Sequence, residues 1–387
     1  MKPQGRGTLV EPAVRGGITY VGEVLGGARC GQGLLRLHAS GDTVEGEWSA
    51  DAVEVCVFPI ALHIQGCKTN FKDSIKVGTQ NCSKTDCGET LVWLSEGRNK
   101  KSVTLDLRKP EGAELFKKLV AKADVLVENF QPGTLEKWGL GWDVLKAVNA
   151  RLVMVRISAY GQTGPYSPKP GFGRIANAFG GISFLAGFPD RPPVTPGSAT
   201  LADYMAGIYG ALGAMFALKA LETTGKGQVV DIGLYEPIFR ILDELAPAFH
   251  MFGNVRQRMG PGTVNVVPHS HYPTKDERWV AIACTNDKIF ARLAKVMRRD
   301  DVADEGIYGT LEKREAAREE VDQFVTAWTS QHDRDEVISM CADGEVPCGP
   351  VFAIDEIFED PQYAARENLK EMEDSRIGTL KVPNVVP

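Results

Sequence analysis

From Ser102 onward, short β-branched runs alternate with longer amphipathic segments. This alternation predicts a βαβαβ unit, in which parallel strands are joined by helices. Its segments are Ser102–Leu107, Glu111–Lys122, Asp124–Glu128, Thr134–Val148 and Arg151–Ile157. Pro132 and Gly133 break the chain before the second helix, and Asn129 follows the middle strand. Open α/β sheets present their ligand-binding loops at such strand ends, so we expect a site there.

Beyond this unit, the residues from Tyr160 to Gly173 are rich in glycine and proline and predict an ordered loop. Helical periodicity returns over Arg174–Leu185, Ala206–Leu221 and Tyr235–Phe252, and a strand is predicted over Gln228–Leu234. We therefore expect an α/β fold with a Rossmann-like parallel sheet in a large domain.

A smaller α+β domain is predicted after residue 253. It contains the strand Trp279–Cys284, the helices Lys288–Met297, Leu311–Gln331 and Arg334–Ala342, and the proline-limited strand Val346–Val351. The expected organisation is an atypical N-terminal segment over 1–95, a large domain over 96–253, a small domain over 254–345, and a segment over 346–387 that returns to the large domain.

Length and composition exclude several classes of protein. A chain of 387 residues with ordinary apolar and charged fractions predicts two ordered domains, and a net charge of −6 argues against a nucleic-acid-binding surface. The eight cysteines form no C-x-x-C pair, and the N-terminal residues do not resemble a secretory signal, so we expect reduced thiols in the cytoplasm or an organelle. The longest apolar stretch, Ala206–Leu218, is too short to span a bilayer.

Two segments carry groups suited to an anionic ligand. Arg98, Lys100 and Lys101 place three cations directly before a strand, although such a run also occurs as a solvated sheet edge. The run Val127–Gly133 presents an Asn amide and an aromatic ring after the middle strand, although a turn with a buried Phe is the plainer interpretation. Both alternatives stay open on local sequence alone.

Asp203 precedes a helix that is rich in glycine and alanine. Aspartate is a favoured helix N-cap, so a capping role is one interpretation. The small neighbouring residues also permit close approach of a bulky ligand, and a carboxylate that is ionised at neutral pH can attack a thioester without a general base.

Three further patterns are weaker candidates for a functional site. Gly260–Gly262 suits a lid over a site or a plain turn. His269, His271 and Asp276 lack a further ligand at metal-binding spacing, so we expect no metal site. The G-x-G-x-x-A match at Gly171 follows a proline and not a strand, which excludes a dinucleotide-binding fingerprint.

Taken together, several motifs in order resemble the family III coenzyme A (CoA) transferases over roughly three quarters of the chain. They are Arg98–Leu107, Val127–Gly133, Trp138–Gly141, Tyr160–Tyr166, Thr224–Asp231, Val346–Val351, Asp360–Gln362 and Leu380–Pro383. The resemblance implies transfer of CoA between carboxylic acids, with CoA thioesters as substrates and no permanently bound cofactor. It also implies an interlocked homodimer in the cytoplasm, or in a mitochondrion in a eukaryote.

The resemblance also implies residue roles. Asp203 aligns with the aspartate that becomes acylated in the family. The contacts with CoA are expected from Arg98, Asn99, Lys100, Lys101, Asn129, Phe130, Gln131 and Lys137. The dicarboxylate-using branch is the most similar, which predicts succinyl-CoA as the acyl donor.

Two alternatives accompany this interpretation. The same fold serves 2-methylacyl-CoA racemases, which use a histidine after the glycine aligned with Gly171; here Phe172 and Gly173 follow and cannot transfer protons. The first 90 residues carry no recognisable A-G-P turn or I-K-V-E strand of the family, and the G-x-H-T motif is absent before Pro387. We therefore expect a shifted reading frame or exon in the first 90 residues, and a catalytically impaired homologue is the second alternative.

Overall fold

The computed structural model describes the strands between residues 5 and 65, and residues 91–98, 100–197 and 200–386. The chain divides into two compact units. The first comprises Met1–Ser183 and Thr195–Val255, and the second comprises Phe184–Val194 and Arg256–Pro387. The segment 346–387 falls within the second of these units, and its return to the large domain stays a prediction.

The described N-terminal residues form strands. They are β1 (Gly5–Val10), β2 (Ile18–Leu25), β3 (Ala28–Leu37), β4 (Thr43–Trp48), β5 (Val53–Val57) and β6 (Ala61–Gln65). The first four pair in chain order as an antiparallel sheet. The next two join the main sheet of the first unit, so the segment that lacks the family's motifs still contributes to that sheet.

The rest of the first unit alternates helices and strands. Its elements are α1 (Leu91–Glu96), β7 (Lys101–Leu105), α2 (Pro110–Val120), β8 (Val125–Glu128), α3 (Thr134–Lys137), α4 (Trp142–Val148), β9 (Val153–Ser158), α5 (Gly173–Phe179), α6 (Ile182–Leu185), α7 (Leu201–Thr224), β10 (Val229–Gly233), α8 (Tyr235–Arg240) and α9 (Leu245–Phe252).

The main sheet has the strand order β10-β9-β8-β6-β5-β7. Neighbours from β10 to β6 are parallel, and β5 is antiparallel to both β6 and β7. The expected α/β class is therefore correct, but β7 is not next to β8, because β5 and β6 lie between them. The N-terminal strands supply pairing partners that the expected βαβαβ unit did not include.

Helices cover both faces of this sheet, as parallel strands require. Alternate residues of β9 show the division. Met154 packs with Leu126 and Phe116 on the face covered by α2 and α4. Val153 and Val155 pack with the alanines of α7 on the other face.

Four helices predicted as continuous are broken in the structure. The one in the second unit, Leu311–Gln331, divides into Leu311–Ala316 and Arg318–Thr329. The segment Thr134–Val148 divides into α3 and α4, and Gly139 there has φ +67°. Arg174–Leu185 divides into α5 and α6, where Gly181 has φ +97°, and Tyr235–Phe252 divides into α8 and α9. Only glycine adopts such left-handed angles at little cost, so the glycines mark two of the four breaks.

Helix α7 is longer than the apolar stretch within it. By length and composition alone, Leu201–Thr224 would be able to cross a membrane. One face of the helix is nevertheless buried in the first unit, through Ala202, Ala206, Gly210, Ala214, Ala217 and Leu221. Ala202, Ala206, Ala214 and Ala217 belong to the core cluster that includes Val155.

The second unit has antiparallel strands and helices around its own core, as expected for α+β structure. Its elements are β11 (His269–Pro273), β12 (Trp279–Ala283), α10 (Asp287–Val296), a 3₁₀ helix (Asp300–Ala303), α11 (Leu311–Ala316), α12 (Arg318–Thr329), α13 (Arg334–Asp343), β13 (Cys348–Pro350), α14 (Ile354–Glu359), α15 (Pro361–Ala365), β14 (Leu369–Asp374) and β15 (Gly378–Pro383). Strand β13 pairs with β12.

Candidate active site

Two of the expected site residues, Asp203 and Asn129, lie where the parallel strands of the first unit end. Helix α7 connects β9 to β10, which are parallel neighbours, so its N-terminus lies at the carboxyl end of β9. Ligands of open α/β sheets bind at this edge. Asp203 is at the start of α7, and Asn129 directly follows β8 at the same edge.

Asp203 is the third residue of α7. Thr200 occupies the N-cap position, and its side chain makes no capping hydrogen bond. The interpretation of Asp203 as the N-cap is therefore wrong, because its own backbone is already helical. A carboxylate in the first turn is favoured by the positive end of the helix dipole.

The environment of Asp203 opposes ionisation. The residue is exposed overall, yet the protein atoms around its carboxyl group remove part of its hydration. This desolvation raises the pKa of Asp203 above its ordinary value, and a hydrogen bond with its own backbone N–H acts in the opposite direction. A desolvated carboxylate is a stronger nucleophile than one in bulk water.

Gly173 lies directly against the Asp203 carboxyl group. A Cβ atom added at Gly173 would overlap with Oδ2 of Asp203 and lie 3.1 Å from its Cγ. Only glycine therefore leaves room for the carboxylate in its present position. Neither Gly173 nor the preceding Phe172, which is 81% exposed, carries a group able to transfer a proton to a substrate.

A hydrogen bond links the N-terminus of α7 to the predicted cationic run. The hydroxyl of Tyr204 donates to Oε1 of Glu96, the last residue of α1, at 3.3 Å. The Nζ of Lys100 donates to the main-chain oxygen of the same Glu96. Lys100 is thus linked through Glu96 to the helix that carries Asp203. Arg98 lies between Glu96 and Lys100 in the chain, and Asn99 and the Lys101 side chain lie outside the described part of the chain.

Residues 129–133, which we call loop 129–133, join β8 to α3. Asn129 is exposed. The ring of Phe130 packs edge-to-face on Trp138 at 5.3 Å between centroids and contacts the core, as the buried-Phe alternative expects. The amide Nε2 of Gln131 donates to the carbonyl of Pro168 at 2.7 Å, which joins this loop to the loop after β9. Lys137, at the end of α3, is exposed.

A buried ion-pair network beneath loop 129–133 was not predicted from sequence. Arg156 of β9 donates from Nε to Oε1 of Glu128 at 2.6 Å and from its two terminal nitrogens to Glu136 at 2.9 and 3.3 Å. Burial raises the pKa of Glu128, although the hydrogen bond and charge of Arg156 oppose this. Burial also acts to raise the pKa of Glu136, but the hydrogen bonds and charge of Arg156 together with backbone hydrogen bonds outweigh it, so that pKa is lowered. The signal that could have found it is an arginine within the apolar strand Val153–Ser158.

The loop after β9 is fixed by hydrogen bonds and aromatic contacts. Both carboxylate oxygens of Asp231 lie 3.0 Å from the backbone nitrogen of Gln162, which donates to them. The rings of Tyr160 and Phe179 meet edge-to-face at 5.2 Å. The residues from Tyr160 onward therefore form an ordered wall next to the strand ends.

The second unit contains the remaining candidates. The backbone N–H of Gly262 donates to the carbonyl of Met259 at 3.2 Å, so Gly260–Gly262 forms a turn, and its role as a lid stays a prediction. Among the described residues, no three or more His, Cys, Asp or Glu side chains are arranged to hold a metal ion.

The known proteins to which this chain is similar include several CoA-transferases. The succinyl-CoA–L-malate CoA-transferase alpha subunit of Chloroflexus aurantiacus is 53% identical over 298 residues, which are 77% of this chain and 70% of the relative. The beta subunit is 52% identical over 78% of this chain and 75% of its own length. The succinate–glutarate CoA-transferase of Agrobacterium fabrum is 34% identical over 72% and 70%. In four relatives from Chloroflexus aurantiacus, the matched region covers between 66% and 75% of the relative's own length.

Solved structures show the same fold. A CAIB/BAIF family protein from Brucella suis is 33% identical, with a TM-score of 0.64 over 73% of each chain. A hypothetical protein from Mycobacterium tuberculosis has a TM-score of 0.64 over 75% of this chain and 76% of its own, at 23% identity, and supports the fold alone.

A sequence model of CoA-transferase family III matches residues 75–387. The match begins before residue 95, where the recognisable motifs place the start of the family pattern, and it includes every described site residue. This chain therefore belongs to CoA-transferase family III, whose members transfer CoA between acyl-CoA thioesters and carboxylic acids.

Proposed function

We propose that this protein transfers CoA from succinyl-CoA to a dicarboxylic acid, with Asp203 as the covalent nucleophile. The observation that carries the proposal is the position of the Asp203 carboxyl group, partly desolvated in the first turn of α7 and packed against Gly173. An ionised carboxylate is itself a nucleophile and needs no base to attack a thioester.

The proposed reaction proceeds through two covalent states of Asp203. A carboxylate oxygen attacks the thioester carbonyl carbon, a C–O bond forms, and the C–S bond breaks with its electron pair leaving on the CoA sulfur. The resulting mixed anhydride is attacked by the CoA thiolate at the Asp203 carbonyl, which releases succinate and leaves an aspartyl-CoA thioester. The acceptor carboxylate then repeats these steps in reverse order, and no proton is consumed.

Water must be excluded from this site, because a mixed anhydride hydrolyses readily. Gly173 covers one side of the carboxylate by direct contact. The ordered loop that begins at Tyr160 forms a wall at the same sheet edge, and Gly260–Gly262 is the candidate for a closing lid.

The CoA moiety is assigned to the segment that precedes β7 and to the residues that follow β8. Arg98, Lys100 and Lys137 would pair with its phosphates, which favour cationic partners, and Asn99 and Lys101 belong to the same proposal. Asn129 is exposed and offers a free amide edge to the adenine or the pantetheine arm. Phe130 and Gln131 would act by shaping the loop, because the ring packs on Trp138 and the Gln131 amide is bonded to Pro168.

The substrate proposal rests on the relatives. The two Chloroflexus subunits that are 52% and 53% identical are named for succinyl-CoA and L-malate, and a further relative at 43% identity is named for succinyl-CoA and D-citramalate. We therefore propose that this chain uses a succinyl-CoA donor and a four- or five-carbon dicarboxylate acceptor. Its proposed location is the cytoplasm.

A homodimer, interlocked as in the family, is part of the same proposal. One face of α7 exposes a continuous apolar stripe of Tyr204, Ile208, Leu212, Met215 and Phe216, with Ile208 62% and Phe216 67% exposed. Soluble monomers rarely expose contiguous apolar patches of this kind, so a second copy of the chain is the expected cover.

The test is the mass of the intact protein after brief incubation with succinyl-CoA and rapid quenching. Wild type should gain an acyl or a CoA adduct that maps to Asp203, and Asp203→Ala should gain none. Glu222→Ala is the matched control, because Glu222 is an exposed carboxylate at the other end of the same helix. An adduct of equal yield in Asp203→Ala would contradict the assigned nucleophile, and no adduct with any acyl-CoA would favour an impaired homologue.

A further inference from the structure

The buried guanidinium of Arg156 contacts both ends of loop 129–133. Glu128, the last residue of β8, precedes the loop, and Glu136, in α3, follows it. The Arg156 Nε lies 2.6 Å from Glu128 Oε1, and one terminal nitrogen lies 2.9 Å from Glu136 Oε1. A single side chain on the neighbouring strand therefore fixes where the loop begins and where it ends.

Glu128 transmits this contact into the loop itself. Its Oε1 is bonded to Arg156, and its Oε2 accepts the backbone N–H of Phe130 at 2.8 Å. The orientation of the Asn129–Phe130 peptide is thus tied to the Arg156 guanidinium through one carboxylate. Asn129 is the exposed amide of the loop, so its direction depends on the same bond.

The packing around Glu136 leaves room for its ion pair with Arg156. A Cβ atom at Gly141 would lie 2.9 Å from the Glu136 Cγ, so a glycine there leaves space for Glu136 in its present position. Arginine forms two parallel bonds to a carboxylate with a fixed geometry, which a lysine cannot reproduce. A buried ion pair contributes little to net stability relative to apolar packing, so stability alone is a poor reason for this network.

We propose that Arg156 is a positioning residue for CoA, whose guanidinium holds Glu128 and Glu136 so that loop 129–133 presents Asn129 to the ligand. This inference rests on the proposed CoA site at that loop. Arg156 itself is buried and would not touch CoA, so its loss should weaken CoA binding and leave the covalent chemistry at Asp203 unchanged.

The test compares Arg156→Lys and Glu136→Gln in the full chain. Arg156→Lys keeps the charge and loses the forked geometry, and Glu136→Gln changes a partly exposed residue and is the milder variant if Arg156→Lys folds poorly. Arg314→Lys is the matched control, because Arg314 is fully buried, pairs with Asp287 and lies in the second unit. The measurements are KM and kcat for succinyl-CoA and the amide hydrogen exchange of residues 129–136.

Arg156→Lys is expected to raise KM for succinyl-CoA by about tenfold with kcat changed less than about twofold, and to accelerate exchange of the Phe130 amide. Glu136→Gln should also raise KM and accelerate exchange of the Phe130 amide, by smaller factors. Arg314→Lys should change neither KM nor the exchange rate. Unchanged exchange in Arg156→Lys would overturn the inference, as would faster exchange with an unchanged KM. If wild type binds no acyl-CoA, the proposed function fails and the CoA role fails with it, while the exchange measurement still decides whether Arg156 holds the loop.

Discussion

The carboxyl group of Asp203 is in van der Waals contact with the backbone of Gly173, at a point where any larger residue would overlap with it. The two residues begin different helices, α7 and α5. The contact covers one side of the carboxylate, which suits the proposed nucleophile because a mixed anhydride must be shielded from water.

Gly173→Ala should lower kcat by about a hundredfold or more, because the added methyl group displaces the Asp203 carboxylate from its position. Gly349→Ala is the control, since no atom lies within 4 Å of a Cβ at Gly349 in the second unit. Steady-state transfer of CoA from succinyl-CoA measures both variants. Normal kcat in Gly173→Ala would show that the Asp203 position does not limit the reaction.

Asp203→Asn should abolish transfer and yet stabilise the fold at neutral pH. Desolvation raises the pKa of Asp203 in the folded protein above the unfolded value, so the fold favours the protonated form. The stabilisation from this group is complete below the unfolded pKa of about 3.9 and is lost as the pH rises through the folded pKa. Asparagine is uncharged at every pH, so the variant avoids the free-energy cost of holding a desolvated charge at neutral pH.

Urea unfolding at pH 7 and at pH 4 measures this difference. The free energy of unfolding of Asp203→Asn should exceed that of wild type at pH 7, and the gap should narrow at pH 4. A variant that is less stable than wild type at pH 7 would indicate that the helix dipole outweighs desolvation at this position.

Gln131→Leu should weaken binding of CoA by roughly two- to tenfold, because one hydrogen bond of about 0.5–1.5 kcal/mol between the two strand-end loops is lost. Calorimetric titration with CoA measures the change. Gln331→Leu is the control, since Gln331 makes a comparable amide-to-carbonyl bond at 2.9 Å in the second unit. Equal affinity in Gln131→Leu would mean that the link to Pro168 does not shape the binding loop.

Ile208→Asp should convert the proposed dimer into monomers or soluble misassembled species, because it places a charge in the centre of the exposed stripe on α7. Sedimentation velocity gives the assembly state. Val144→Asp is the control, since Val144 is an exposed apolar residue of α4 that lies outside the stripe. A wild-type protein that sediments as a monomer would contradict the proposed dimer.

Much of the local structure follows from the sequence. The alternation of β-branched and amphipathic segments predicts β7, β8, β9 and β10 within a few residues, because strand and helix periods are local properties of the chain. The start of α3 after Gly133 follows in the same way. The broken helices were missed because a short interruption at Gly139 or Gly181 hardly changes a periodic pattern.

The sequence by itself determined the family, the α/β class and the choice of Asp203 as the candidate nucleophile, since these depend on residue types in order along the chain. The tertiary structure decided which segments meet. It placed β5 and β6 between β7 and β8, set Gly173 against Asp203, and joined Arg156 to Glu128 and Glu136. These contacts join residues that are distant in the chain, and neither periodicity nor local propensity specifies long-range partners.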